Sequence, residues 1–335
     1  MDEFQKKAID AISEGHNVFL TGSPGTGKSF TINEIVKQAL QEKKKVYVTA
    51  TSGVAASLIS SSVFVNGVRT FHSYMGIGLG KLSASKHAHF LNRNVEAKKR
   101  IRETDILIID EISMMDYSFF ELANQVLQLV RKNTSPFGGI QVVLAGDFFQ
   151  LPPTQTDRKE PFYLFESTIW NDLIEKTIVL NKVYRQSEHK FVNLLEKLRD
   201  STIDEELEFD MAKLSETKFE NIDGIRPTTL FCKNCDVDSM NAFELKKLNG
   251  KCYRFRSSIS FSSHDAKKEY QNSFSLVDEL FIKVGAQVMC MINFEPEIGL
   301  VNGARGIVTY IHDQSAPDVE DDRTIPSYVK VKFLN

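Results

Sequence analysis

One short segment limits the folds open to this chain more than any other. Residues 22–29 read GSPGTGKS and match the pattern G-x-x-x-x-G-K-[ST] in full. They stand between an apolar run, NVFLT, and a helical pattern that begins near Ser29. This is the context of a phosphate-binding loop, in which backbone N–H groups converge on a phosphate at a helix N-terminus. The loop consists of Gly22, Ser23, Pro24, Gly25, Thr26, Gly27, Lys28 and Ser29.

Two pairs of residues are predicted to supply the charged and metal-binding groups of an ATP site: Lys28 with Ser29, and Asp110 with Glu111. Lys28 is expected to put a point charge on the β- and γ-oxygens, and Ser29 to ligate Mg²⁺. Asp110 and Glu111 close the run DILIID, so their carboxylates lie at the carboxyl end of a predicted parallel strand, where ligands bind in open α/β sheets. Asp110 would hold Mg²⁺, directly or through water, and Glu111 would polarise the attacking water. Such a pair is more often a solvated turn, but the phosphate loop upstream favours the functional interpretation.

Two further polar residues follow predicted strands. Gln150 comes just after IQVVLAGD and is placed to contact the γ-phosphate and report its loss. Arg185 follows TIVLN, and Arg is the side chain best suited to stabilise charge on a transferring phosphoryl group. The alternatives are an ordinary loop glutamine and a surface arginine.

Short β-branched runs alternate with helical stretches over the first 200 or so residues. Runs of this kind suit strands buried on both faces of a parallel sheet, which predicts a doubly wound α/β domain. We expect this domain over residues 1–185, with an insertion within about 78–102 because the segment 52–104 is too long for a simple crossover. Gly-punctuated strands predict a second, partial domain over 186–335.

Bulk composition excludes several classes of protein. The 335 residues are 42% hydrophobic, with 41 Lys+Arg against 44 Asp+Glu, so nucleic-acid contacts must come from local basic patches. No apolar run approaches the roughly 20 residues of a membrane helix, and the N-terminus lacks a signal-peptide core, which predicts a soluble intracellular protein without fixing its compartment. The four Cys include one C-x-x-C pair but no second ligand pair, and we interpret them as free thiols at strand ends.

The motifs together resemble one family. Phe4-Gln5, GSPGTGKS, VTATSGVAA, TFHSYMGIGLG, IIDEISMMD, LAGDFFQLPP, VYRQ and GLVNGARGIV occur in the order and approximate spacing of the petite-integration-frequency (PIF-type) helicases of superfamily one. The resemblance implies a RecA-like P-loop NTPase domain and an incomplete second RecA-like domain carrying a small β-barrel-type insertion. It also implies an ATP- and Mg²⁺-dependent 5′→3′ DNA helicase acting on single-stranded and forked or tailed duplex DNA, with roles in repair, recombination or telomere maintenance.

The resemblance also assigns residues. Gln5 is similar to the family's adenine-reading glutamine, Gln150 to its γ-phosphate sensor and Arg185 to its arginine finger. The segments similar to those that track the DNA strand are Thr51, Ser52 and Gly53, and Thr70, Phe71 and His72. Small hydroxyls hold phosphates and an aromatic ring can stack a base, although Phe71 also fits a core position and His72 a buried imidazole. The basic segment 86–102 lies where the family carries a wedge. The alternative is that it is a solvated helix face.

The pattern departs from the family near its end. A Ser-x-His-Lys-x-Gln-Gly motif and an Ala-Leu-Ser-Arg motif, expected after GLVNGARGIV, do not occur. We therefore expect a fragment, monomeric in isolation and weak or inactive in unwinding by itself. The competing functions are a non-cycling remnant that binds nucleotide and single strand, and an unrelated, for instance ring-forming, P-loop ATPase, against which TFHSYMGIGLG and the position of Arg185 argue.

Overall fold

The computed structural model describes residues 1–59, 67–78, 80–153, 162–217, 224–256, 279–291, 295, 298, 300, 303–313 and 326–333. The chain divides into two compact units, Met1–Glu216 and Thr217–Asn335. The division lies later than the predicted boundary at Arg185. Arg199, on a helix beyond that boundary, forms an ion pair with Asp147 of the first unit.

A six-stranded parallel sheet organises the first unit, in the order β3-β2-β4-β5-β1-β6. The strands are β1 (Val18–Gly22), β2 (Val46–Ala50), β3 (Arg69–Thr70), β4 (Ile106–Asp110), β5 (Gln141–Gly146) and β6 (Lys176–Leu180). Five of them coincide with the predicted apolar runs, and only the two-residue β3 was not foreseen. The predicted α/β class and parallel sheet are therefore confirmed.

Helices cover both faces of this sheet. They are α1 (Glu3–Ser13), α2 (Lys28–Gln41), α3 (Gly53–Leu58), α4 (Phe71–Met75), α5 (Ala84–Phe90), α6 (Val95–Glu103), α7 (Tyr117–Arg131), α8 (Thr168–Leu173), α9 (His189–Arg199) and α10 (Glu205–Ser215). Alternate residues of β4 serve two cores: Ile106 and Ile108 pack with α1 and α2, and Leu107 and Ile109 pack with α6 and α7. Burial on both sides explains why these strands read as continuous apolar runs.

The segment predicted as an insertion forms α5 and α6. Both helices contribute to the core of the first unit, through His87 and through Ala97 and Ile101. The Arg100 guanidinium donates to the Tyr74 carbonyl oxygen at 2.8 and 3.1 Å. The inner face of the segment is thus integrated into the fold, while Lys86, among others, is exposed.

The second unit has a different architecture. Its elements are α11 (Asn234–Lys247), β7 (Tyr253–Arg256), β8 (Glu279–Ile282), β9 (Gln287–Met289), β10 (Arg305–Asp313) and β11 (Pro326–Phe333). Strand pairing among its described residues is antiparallel, with β7 beside β8 and with β10 between β9 and β11. The predicted strands therefore form small antiparallel sheets.

The cysteines are free thiols, as predicted, but two of them do not lie at strand ends: Cys232 precedes α11 and Cys235 lies in its first turn. Within the described ranges no group of three or more His, Cys, Asp or Glu residues is arranged to hold a metal ion. No helix in the described part of the chain is long and apolar enough to cross a membrane.

Candidate functional site

The phosphate loop connects the end of β1 to the start of α2. Gly27 precedes α2 without a side-chain cap, so the first N–H groups of the helix have no capping side chain, as a phosphate site requires. The Lys28 Nζ donates to the carbonyl oxygens of Gly22 at 2.7 Å and Ser23 at 3.2 Å. The lysine therefore lies folded against the loop that it is predicted to serve.

Two glycines of the loop are pressed against other predicted site residues. Gly25 and Gly27 have φ of +82° and +91°, which L side chains rarely adopt. A Cβ at Gly25 would lie 2.8 Å from the Arg185 Cβ, and one at Gly27 would lie 2.6 Å from the Gln5 Nε2. The fold thus brings Gln5 and Arg185, which are 180 residues apart in the sequence, to the same loop.

Gln5 is fixed at the start of α1 by a capping box. Asp2 accepts from the Gln5 N–H at 2.8 Å, and the Gln5 Oε1 accepts from the Asp2 N–H at 3.0 Å. The Tyr184 hydroxyl donates to the other Asp2 carboxylate oxygen at 2.9 Å, and the Tyr184 N–H donates to the Gly25 carbonyl at 2.8 Å. Sequence analysis overlooked Asp2 and Tyr184, although the Asp-x-x-Gln spacing marks a cap.

The carboxylates at the end of β4 have unlike surroundings. Asp110 is buried, and burial raises its pKa to about 6, with the neighbouring Glu111 charge adding to the rise. The Glu111 N–H donates to the Asp110 Oδ1 at 2.9 Å and limits that rise. Glu111 itself is half-buried and adopts a left-handed backbone with φ of +54°, which turns the chain sharply beyond the strand.

The pKa of Lys28 is influenced by three carboxylates at the ends of two strands, β4 and β5. Burial lowers the pKa of Lys28, and the negative charges of Asp147, Asp110 and Glu111 oppose that effect in this order of strength. The ends of β4 and β5 therefore meet the phosphate loop in one electrostatic environment. The clustering agrees with the sequence prediction for Asp110 and Glu111, and it adds Asp147, which the sequence marked only as the end of a strand.

Gln150 is held by Asp147. Its Nε2 donates to the Asp147 Oδ2 at 3.3 Å, and its N–H donates to the Asp147 carbonyl at 2.9 Å. The same carboxylate accepts two hydrogen bonds from Arg199, at 3.0 and 3.1 Å. Sequence analysis missed Arg199, because nothing in HKFVNLLEKLRD distinguishes it from a solvated helix-end arginine.

The segments expected to track a DNA strand lie at the ends of β2 and β3. The Ser52 hydroxyl caps α3 by accepting from the Ala55 N–H, and the Thr70 hydroxyl caps α4 by accepting from the Ser73 N–H. The Thr51 hydroxyl instead donates to the Glu111 carbonyl at 2.9 Å. Gly53 begins α3 and has open space around its Cα.

The two rings beyond Thr70 differ in exposure. Phe71 is fully buried, with its ring centroid 5.8 Å from that of Phe119, as the core alternative expects. His72 is half-buried and stacks on Phe119 at 3.8 Å, and burial lowers its pKa, opposed in part by Asp116. His72 thus retains accessible surface.

Comparison with known proteins gives consistent matches. The family described as PIF1-like helicase matches residues 1–208, and the 2B domain of DNA helicase Pif1 matches residues 271–311. The ATP-dependent DNA helicase PIF1 of Candida albicans is 36% identical over 336 residues, covering 96% of this chain and 36% of the relative. The human ATP-dependent DNA helicase PIF1 is 33% identical over 308 residues, covering 92% of this chain and 46% of the relative.

Solved structures agree. The crystal structure of Pif1 helicase from Candida albicans matches with a TM-score of 0.84 and 34% identity, covering 100% of this chain and 76% of that one. Bacteroides sp Pif1 in complex with ADP-AlF4 matches with a TM-score of 0.65 and 25% identity, covering 99% and 72%. The chain spans between about a third and a half of the length of the curated Candida albicans and human relatives described above. With the RecA-like sheet, the phosphate loop and these matches in agreement, this chain belongs to the PIF1-like helicase family.

Proposed function

We propose that the chain is the ATP-hydrolysing part of a DNA helicase. The observation that carries this proposal is the uncapped N-terminus of α2 after β1, at the sheet edge where the neighbouring strand β5 is followed by Asp147 and the next strand, β4, ends at Asp110 before Glu111. A cationic loop with adjacent carboxylates suits a triphosphate with its metal ion. Relatives named ATP-dependent DNA helicases support the same assignment.

Individual roles follow from the chemistry of each group. The Ser29 hydroxyl and the Asp110 carboxylate are hard oxygen ligands that fit Mg²⁺. Glu111, less buried than Asp110 and next to it, acts as the base that orients the attacking water. Gln150 contacts the γ-phosphate, and Arg185, beside Gly25, supplies a positive charge to it.

Adenine recognition belongs to the start of α1 in this proposal. Gln5 lies against Gly27, and its backbone is fixed by Asp2, which in turn binds Tyr184. The ring of Tyr184 is 48% exposed and therefore accessible to a base. The closeness of the Gln5 amide to Gly27 supports a role beside the loop that is proposed to hold the phosphates.

Single-stranded DNA is the proposed second ligand. Its contacts are assigned to the ends of β2 and β3, through Thr51, Ser52, Gly53, Thr70 and His72, without stacking on Phe71. A solved structure described as the basis for DNA unwinding at forked duplex DNA by two coordinating Pif1 helicases matches this chain with a TM-score of 0.68 and 25% identity, and it supports a forked duplex as substrate. Translocation in the 5′→3′ direction and a monomeric state in isolation are part of the proposal.

The test is ATP turnover by the purified chain with and without single-stranded DNA, together with strand separation of 5′- and 3′-tailed duplexes. Because the chain is expected to unwind weakly or not at all by itself, the same assays are run on a version extended through the two expected motifs, and DNA-stimulated turnover with separation of only the 5′-tailed duplex by that version supports the helicase. Nucleotide and single-strand binding without turnover identifies the non-cycling alternative. Turnover that DNA does not stimulate rejects a DNA motor, and sedimentation of the chain tests the monomeric state.

A further inference from the structure

We propose that Arg199 is a positioning residue for the γ-phosphate end of the nucleotide site, acting through Asp147 on Gln150. The inference rests on the proposed function, because it assumes that a triphosphate binds beside Lys28. It assigns a task to α9, which lies beyond the motifs that carry the ATP chemistry.

The contact between Arg199 and Asp147 is a two-point ion pair. The guanidinium Nε donates to the Asp147 Oδ2 at 3.1 Å, and Nη2 donates to Oδ1 at 3.0 Å. Asp147 is 0% exposed, and the guanidinium also lies 4.4 Å from the centroid of the Phe149 ring. A planar fork fixes the orientation of a carboxylate in a way that a point charge does not.

The Asp147 carboxylate is shared. Besides the Arg199 pair, its Oδ1 accepts from the Phe149 N–H at 3.2 Å and its Oδ2 accepts from the Gln150 Nε2 at 3.3 Å. The side chain of Gln150 is therefore oriented by a carboxylate whose own orientation is set by α9. Releasing Arg199 frees the carboxylate to rotate and leaves Gln150 without a fixed partner.

The charges of Arg199 and Asp147 also influence the neighbouring groups of the site. Burial raises the pKa of Asp147, but the hydrogen bonds from Arg199, Phe149 and Gln150 outweigh burial, so that its pKa is below the usual value and the group is ionised. Asp147 is also the strongest carboxylate neighbour of Lys28, and the Arg199 charge acts on Lys28 in the opposite sense. Without Arg199, an unpaired buried carboxylate would repel a triphosphate and compete with it for Lys28.

The consequence is selective for the third phosphate. A diphosphate depends mainly on the backbone N–H groups of the loop, which Arg199 does not contact. Both nucleotides present a β-phosphate to Lys28, but only a triphosphate has a γ-phosphate that needs the Gln150 amide. Loss of Arg199 is thus expected to weaken triphosphate binding far more than diphosphate binding.

The test compares affinities for Mg·ADP and a non-hydrolysable Mg·ATP analogue by fluorescence titration of the 335-residue chain. Arg199→Ala should weaken triphosphate binding by about 10- to 100-fold, the range of a lost charged hydrogen bond, and leave ADP binding within about twofold. Arg199→Lys should fall between, because it keeps the charge and loses the fork. Adding Asp147→Asn to Arg199→Ala should restore part of the loss by removing the buried charge.

Lys197→Ala is the matched control, because Lys197 lies on the same helix and pairs with Asp204 at 2.7 Å and Glu206 at 2.6 Å. It should leave the ratio of the two affinities unchanged. An unchanged ratio in Arg199→Ala, an equal change in Lys197→Ala, or a wild type that does not distinguish the two nucleotides overturns the inference. A wild type that binds neither nucleotide rejects the proposed function instead. If Arg199→Ala does not fold, Arg199→Lys and the double variant decide by the same ratio.

Discussion

Polar side chains differ in burial and hydrogen bonding between the two halves of the carboxyl edge of the six-stranded sheet. At the ends of β1, β4 and β5, charged groups are partly or fully buried and perturb one another, as the raised pKa of Asp110 and the lowered pKa of Lys28 indicate. At the ends of β2 and β3, the hydroxyls of Ser52 and Thr70 are engaged as helix caps. The first half holds buried charges that perturb one another and that the proposed nucleotide and metal ion would neutralise, whereas the hydroxyls of the second half already have partners within the chain.

The largest expected effect concerns the ends of β1, β4 and β5, where the charged groups perturb one another. Lys28→Ala removes the only positive side chain of the phosphate loop, so we expect it to abolish ATP·Mg²⁺ binding measured by calorimetric titration. Lys37→Ala is the control, since Lys37 lies on the same helix in an exposed pair with Glu34 at 2.6 Å. Unchanged nucleotide affinity in Lys28→Ala would remove the loop from the nucleotide site.

Glu111→Gln should separate binding from hydrolysis. The amide keeps the shape of the side chain but cannot accept the proton of water, and a general base is typically worth about 10²–10⁴-fold in rate. We expect nucleotide affinity to stay near that of the wild type while turnover falls by that factor, measured by phosphate release in the presence of single-stranded DNA. Turnover equal to that of the parent would show that another group is the base.

The difference between the two halves also explains what the sequence made predictable. Gly22–Ser29 and Asp110-Glu111 are local patterns at the ends of apolar runs, so both their chemistry and their place followed from spacing. The pairing of Asp147 with Arg199 joins residues 52 positions apart, and no local pattern specifies it. Phe71 matched a motif, but its residue type fits a core position as well as a base-stacking one, and burial decided the matter.

The raised pKa of Asp110 allows a test of whether its charged form destabilises the folded chain. Because the folded pKa of about 6 lies above the model-peptide value of 3.8, the folded state binds more protons than the unfolded state between these pH values. Stability from this group therefore falls as pH rises through the window from 3.8 to about 6. Asp110→Asn should raise the free energy of unfolding by about 1–3 kcal/mol at pH 7.5 without Mg²⁺, and much less at pH 4.

Urea unfolding at both pH values, with and without Mg²⁺·nucleotide, measures this effect. Nucleotide should stabilise the wild type more than Asp110→Asn, because the variant lacks a metal ligand. A variant less stable than the wild type at pH 7.5 would indicate that Asp110 is satisfied within the folded chain, and the contrast between the two halves of the edge would disappear.

The smallest expected effect concerns Thr51, the residue that joins the two halves. Its hydroxyl donates to the Glu111 carbonyl at 2.9 Å, and its N–H donates to the Asp110 carbonyl at 3.2 Å. Thr49 provides a matched control, since its hydroxyl donates to the Ile108 carbonyl, also at 2.9 Å. Each Thr→Val change loses one hydrogen bond, worth about 0.5–1.5 kcal/mol of stability.

Only the Thr51 bond reaches the backbone of the proposed base, so only Thr51→Val should reduce the stimulation of ATP turnover by single-stranded DNA. A lost hydrogen bond of this size corresponds to about a two- to tenfold reduction. Thr49→Val should keep the stimulation despite a similar loss of stability, as measured by turnover across a range of DNA concentrations. If both variants lose stimulation equally, the loss of stability accounts for the effect. If neither variant loses stimulation, the binding of single-stranded DNA does not act on Glu111 through the end of β2.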